Sequence, residues 1–179
     1  NIKSIKQTFK LTSSIRRIFN DRKYPILIDQ EGGRVNRLKN IISFDNLTSE
    51  FFGKKYLTNN YEFKIFYKLY IDKTAYLLKN LGININTVPV LDVLRKKTHK
   101  IIGNRSYSKD PKIVKLLGEL CIKQYKLKKI GTVIKHIPGH GCSNKDSHKS
   151  LPKVTLNLKT LNKIDFLPFK FSKSLFAMT

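Results

Sequence analysis

The stretch Ile83-Asn84-Ile85-Asn86-Thr87-Val88-Pro89-Val90-Leu91-Asp92 sets the fold class. It is rich in β-branched residues, lacks clean in/out alternation over its whole length, and ends on a carboxylate. Such a run suits a strand buried on both faces of a parallel sheet. The same pattern occurs on either side. Ile26-Leu27-Ile28 ends at Asp29, and Thr132-Val133-Ile134 ends at Lys135-His136.

Two helical segments separate these runs. From about Tyr61 to Leu81, Phe63, Phe66, Tyr67, Tyr70, Ile71, Leu77, Leu78 and Leu81 recur at helical spacing, and Gly82 supplies a stop. The second segment runs from Pro111 to about Lys129. Asp110 serves as its N-cap, Pro111 fits the first helical position, lysines crowd the last turn, and Gly131 ends it. Strand, helix, strand, helix, strand is the grammar of an α/β fold. Polar residues gather where the strands end, so Asp29, Asp92, Lys135 and His136 are expected at one mouth. The pattern alone fits a closed barrel and an open doubly wound sheet equally.

Composition narrows the function. The chain has 179 residues, enough for one domain with a real core, and no apolar run approaches the ~18 residues of a membrane span. Cys121 and Cys142 show no metal-ligand spacing and read as free thiols of a reducing compartment, so a cytoplasmic location is expected. The formal net charge is +24, yet lysines are scattered from Lys3 to Lys173 and far outnumber arginines. Sequence-specific nucleic-acid recognition favours clustered arginine forks, so no specific nucleic-acid partner is expected. Lys, Ile and Asn have A/T-rich codons, and coding bias accounts for the charge. The charge still favours weak, salt-sensitive contact with polyanions.

Three loops carry candidate chemistry. Asp29-Gln30-Glu31-Gly32-Gly33-Arg34 follows the first strand; its carboxylate can accept from two sugar hydroxyls, and Arg34 or Arg37 can donate several bonds. It reads equally as a strand-ending turn with solvated charges. Gly103-Asn104-Arg105-Ser106-Tyr107 offers Arg105, either to a pocket or to a structural ion pair. The third loop holds His136, His140 and His148. Pro138, Gly139 and Gly141 prevent a helix that would align metal ligands, so no metal and no other cofactor is expected. Asp146-Ser147-His148 suggests acid/base chemistry instead, because a carboxylate on one imidazole nitrogen raises the basicity of the other. A flexible polar loop is the plainer reading of that tripeptide.

Taken together, Ile26–Leu38 (ILIDQEGGRVNRL), Gly82–Val93 (GININTVPVLDV), Ile102–Pro111 (IGNRSYSKDP) and Lys135–Pro152 (KHIPGHGCSNKDSHKSLP) resemble, in order and spacing, the catalytic domain of family 3 glycoside hydrolases in their β-N-acetylglucosaminidase branch. The resemblance spans most of the chain. It implies a (β/α)8 barrel of which residues 1–179 form a single incomplete domain, about strands 2 to 5, truncated at both ends. A whole barrel of this type takes about 250 residues. The first strand and its helix are expected ahead of Asn1, and Leu175–Thr179 resembles the start of a fifth strand.

The resemblance also implies removal of terminal, non-reducing β-linked N-acetylglucosamine from muropeptides during cell-wall recycling, with retention and by a protein that is monomeric at full length. Residues matching Asp29, Arg37, Arg105, Lys135 and His136 bind the sugar. The residue matching His148 is the acid/base, and that matching Asp146 orients it. The family's nucleophile is an aspartate after a later strand, expected to be absent from this chain. A sugar-binding remnant without that nucleophile is the competing expectation. Ile137, where phenylalanine is usual, and Cys142 depart from the family pattern without touching the proposed chemistry.

Overall fold

A computed structural model describes residues 2–96, 98–143, 153–170 and 172–179. In chain order the elements are α1 (Ile5–Ile18), β1 (Leu27–Ile28), α2 (Ser49–Thr58), α3 (Asn60–Asn80), β2 (Ile85–Asn86), a 3-10 turn at Gly103–Arg105, α4 (Pro111–Leu127), β3 (Gly131–Lys135), α5 (Leu158–Lys163) and β4 (Phe176–Met178). The four strands form one parallel sheet in the order β1-β2-β3-β4. Every crossover therefore advances in the same direction. A doubly wound sheet reverses at a switch point, whereas a strand order that follows the sequence is that of a barrel wall. The sheet is not closed: β1 and β4 are its outer strands, and it forms an arc of an incomplete barrel.

The strands are shorter than their apolar runs suggest, and asparagine side chains account for the difference. Asn86 Oδ1 accepts from the Gln30 amide at 3.0 Å while its Nδ2 donates to the Gln30 carbonyl at 2.9 Å, replacing the rungs that a longer ladder would make. Asn84 does the same at the entry, accepting from the Ile26 amide at 2.7 Å and donating to the carbonyls of Lys23 and Tyr24. Beyond Asn86 the run Thr87–Leu91 contains Pro89, which has no amide hydrogen to donate; the Val88 and Pro89 carbonyls still accept from the Val133 and Lys135 amides, and Val90 forms an isolated bridge with Lys135.

The helices α3 and α4 lie where the periodicity places them. Phe63, Tyr67, Ile71 and Leu78 of α3 pack with Val114, Leu117 and Tyr125 of α4 in one core. Burying each such side chain contributes about 1.5–3 kcal/mol. Asp110 caps α4 as expected, accepting from the Lys112 amide at 2.8 Å. The end of α4 differs: the chain turns at Lys129, with φ of 56°, and Gly131 opens β3 instead of ending the helix.

Three helices were not anticipated: α1, α2 and the short α5. α1 shows that a helix preceding β1 lies inside the chain, not ahead of Asn1. It packs through Thr8 and Thr12, and the Thr12 hydroxyl donates to the Leu81 carbonyl at 2.8 Å. α2 carries Phe52 into the core and starts at Thr48, whose hydroxyl accepts from the Phe51 amide at 3.0 Å. Thr48→Ala should lower stability by about 1 kcal/mol, read as a Tm decrease of about 2–4 °C. No helix among the described residues is long and apolar enough to cross a membrane.

Candidate active site

The C-terminal ends of the strands converge on a cleft of about 390 Å³ whose lining includes Asp29, Glu31, Arg37, Arg105, Lys135, His136 and His140. Asp29 follows β1, Lys135 is the last residue of β3 and His136 follows it, and Arg105 stands on the 3-10 turn ahead of α4. All five residues named as sugar-binding candidates thus line one cleft. Asp146 and His148 lie outside the described residues.

Lys135 is the centre of the charge network. Its side chain is 2 % exposed, and its ammonium reaches Asp29 Oδ1 at 2.9 Å, Glu31 Oε1 at 2.5 Å and the Thr87 hydroxyl at 3.1 Å. Thr87 also donates to Asp29. Glu31 in turn takes the Arg105 fork, from Nε at 2.7 Å and Nη2 at 2.9 Å. Burial by itself would raise the Glu31 carboxyl, but Arg105 and Lys135 more than offset it and hold it below its ordinary value. Asp29 follows the same balance: partial burial raises it, and Thr87, Lys135 and the field of Arg37 together bring it down. Burial pushes Arg105 down, and Glu31 together with the fields of Asp92 and Asp29 more than offsets it and holds the guanidinium above its ordinary value. The neighbouring cations therefore keep both carboxylates ionised at the mouth of the sheet.

Asp92 organises the second half of the cleft. It is fully buried and spends both oxygens on the loop after β3: Oδ2 pairs with His136 Nδ1 at 2.6 Å, and Oδ1 accepts the His140 amide at 2.6 Å. Its own carbonyl accepts from the Ser106 hydroxyl at 2.6 Å, which ties in the loop that carries Arg105. On its other side, His136 Nε2 faces Arg105 Nη2 at 3.3 Å. A guanidinium can only donate, so these neighbours select the tautomer with the proton on Nδ1. The loop runs on against the carbonyl of Val93, which lies 1.9 Å from where a Cβ on Gly141 would sit, so only glycine fits there.

The two arginines of the first loop separate. Arg34 donates to the carbonyls of Lys100, Ile101 and Ile102, clamping the neighbouring loop. Arg37 is exposed at the cleft, with its amide fixed to Gln30 Oε1 at 2.9 Å. Arg105 fulfils both sequence readings at once: it lines the cleft and is a buried ion-pair donor. Sequence reading missed Glu31 and His140 as members of the cleft, and Thr87 as the hydroxyl that bonds Asp29 and Lys135. The position of Glu31, two residues beyond Asp29 in the same loop, was the available signal for it.

The pattern that defines the Glycosyl hydrolase family 3 N terminal domain matches residues 1–173. The chain belongs to this family. It is 33% identical over 177 residues to a β-hexosaminidase A of Pseudoalteromonas piscicida, covering 94% of this chain and 28% of that protein. A β-hexosaminidase of Bordetella avium is 30% identical, over 89% of this chain and 46% of its own length. Among solved structures, NagZ of Neisseria gonorrhoeae in complex with N-trifluoroacetyl-D-glucosamine superposes with a TM-score of 0.83 at 28% identity, over 94% of this chain and 49% of that one. The chain thus spans half or less of the length of these family 3 relatives.

Proposed function

We propose that this chain forms the sugar-binding side of a family 3 β-N-acetylglucosaminidase, which removes terminal, non-reducing β-linked N-acetylglucosamine from peptidoglycan fragments. The observation that carries this reading is the cleft itself. Asp29, Lys135, Glu31, Arg105 and His136 are joined in one network at the C-terminal ends of parallel strands, where barrel enzymes work. The network presents a half-exposed carboxylate, Asp29, beside fixed donors, a pattern that suits the paired hydroxyls of a pyranose. The relative seated on a glucosamine derivative supports the choice of sugar.

In the mechanism we propose, Asp29, Arg37, Arg105, Lys135 and His136 hold the terminal sugar. His148, oriented by Asp146, gives its proton to the leaving oxygen as an aspartate from a later strand of the barrel attacks C1. The glycosyl-enzyme then forms as the glycosidic C–O bond breaks. Water attacks C1 in the second step and passes its proton to His148, which releases the aspartate with retention.

Titration calorimetry with N-acetylglucosamine tests the binding part on the chain as it stands. Lys135→Met keeps the length of the stem and removes the ammonium that orders Asp29 and Glu31. Binding should weaken about 10- to 100-fold, the value of a charge-assisted hydrogen bond. Equal affinity of the two proteins would refute the assignment of the cleft.

A further inference from the structure

One member of the cleft has its hydrogen-bonding capacity unspent. The backbone of His140 is fixed by Asp92, and its ring stands 6.3 Å from that of His136, at 70° to it, in the lining of the same cleft. Both ring nitrogens are shielded from water, and neither has a hydrogen-bond partner among the described residues. The surrounding groups differ: Asp29, Glu31, Asp92, Arg105, Lys135 and His136 each hold at least one partner at the cleft. Burying an imidazole with neither nitrogen paired is unfavourable, and such a group in a binding cleft marks a place where a ligand completes the hydrogen bonding.

We infer that His140 is a further sugar contact, its ring turning so that one of the two shielded nitrogens meets a pyranose hydroxyl in the cleft. The inference rests on the sugar-binding reading and extends it to a residue with no assigned role. An imidazole in its neutral form offers one donor and one acceptor, and a hydroxyl can satisfy either. A carboxylate or phosphate would use only the donor. The hydroxyl can belong to the terminal N-acetylglucosamine or to the sugar linked to it, and two ligands separate these sources.

His140→Phe keeps a ring of similar size and removes both nitrogens. Removing unpaired buried polar atoms should leave the denaturation midpoint unchanged or raise it, while binding weakens roughly tenfold. Loss with N-acetylglucosamine itself puts the contact on the terminal sugar. Loss only with the β-linked N-acetylglucosamine disaccharide puts it on the next one. The ring 15N resonances of His140 in the unsubstituted chain should shift as the ligand is added. Unchanged affinity for both ligands with unmoved His140 resonances overturns the inference and leaves the sugar-binding reading intact. An unsubstituted chain that binds neither ligand overturns both. A variant that unfolds, with the 15N shifts absent, marks the ring as structural and overturns the inference alone.

Discussion

Glu31→Gln should cost about 3–5 kcal/mol of folding stability, the usual result of removing one partner from a buried ion pair. The substitution keeps the shape and changes the charge. Glu31 lies 3 % exposed between Arg105, which meets it through Nε and Nη2, and the Lys135 ammonium. A carboxamide in that place offers an NH2 to groups that are themselves donors only, and leaves two buried cations facing one anion, Asp29. Urea unfolding followed by circular dichroism measures the loss. A change under about 1 kcal/mol would mean that the network behaves as a solvated surface pair.

The same variant carries a pH signature. Glu31 and Asp29 are both held below their ordinary values of 4.5 and 3.8 in the folded chain. Between the folded and unfolded values the unfolded chain binds more protons, so stability rises with pH. Their contribution is complete above the unfolded values and is lost as pH falls through the lowered folded ones. Glu31→Gln should therefore flatten the acid side of the stability profile, leaving the neutral side parallel to that of the unsubstituted chain.

Asp92→Asn should be nearly as damaging, and for a different reason. A carboxylate accepts on both oxygens, here from the His136 ring and the His140 amide, each at 2.6 Å. A carboxamide accepts on one. If its oxygen stays with the His140 amide, its NH2 meets His136 Nδ1 and demands a lone pair there. The ring proton then moves to Nε2, where it confronts Arg105 Nη2 donor to donor. Stability should fall by about 1.5–3 kcal/mol. The 15N shifts of the His136 ring should report the exchange of tautomers, and N-acetylglucosamine binding should weaken by about tenfold or more. Unchanged ring shifts with reduced stability would show Asp92 to be a packing residue only.

Much of this architecture was legible in the residues. The strand ends at Asp29 and Lys135 and the two long helices followed from apolar runs, punctuation and periodicity, whereas the run ending at Asp92 outlasts its strand, which stops at Asn86. α1 escaped because its packed face is polar: Thr8 and Thr12 are buried, whereas Phe9, Leu11 and Ile18 are exposed, so hydrophobic periodicity points the wrong way. α2 is short, and its readable sign was the cap at Thr48 rather than a stripe. The strands looked longer than they are because a carboxamide that continues a ladder from the side, as Asn84 and Asn86 do, is written in the sequence as an ordinary polar residue. For the cleft, the strand-end residues could be placed at a common mouth, but not their partners. Nothing local to Arg105 announces Glu31, 74 positions away.

Those separations bear on how the molecule comes into being. Asp92 and His136 are 44 positions apart, Glu31 and Arg105 are 74, and Asp29 and Lys135 are 106. The strand pairs beneath them close loops of comparable span. Contacts of such range form slowly, because loop-closure entropy is lost before any of them stabilises the chain. On a ribosome, Glu31 would emerge long before either of its cations. The charges of the cleft therefore cannot guide early folding. Apolar burial acts without exact partners, so it can assemble the mouth that the ion network then locks.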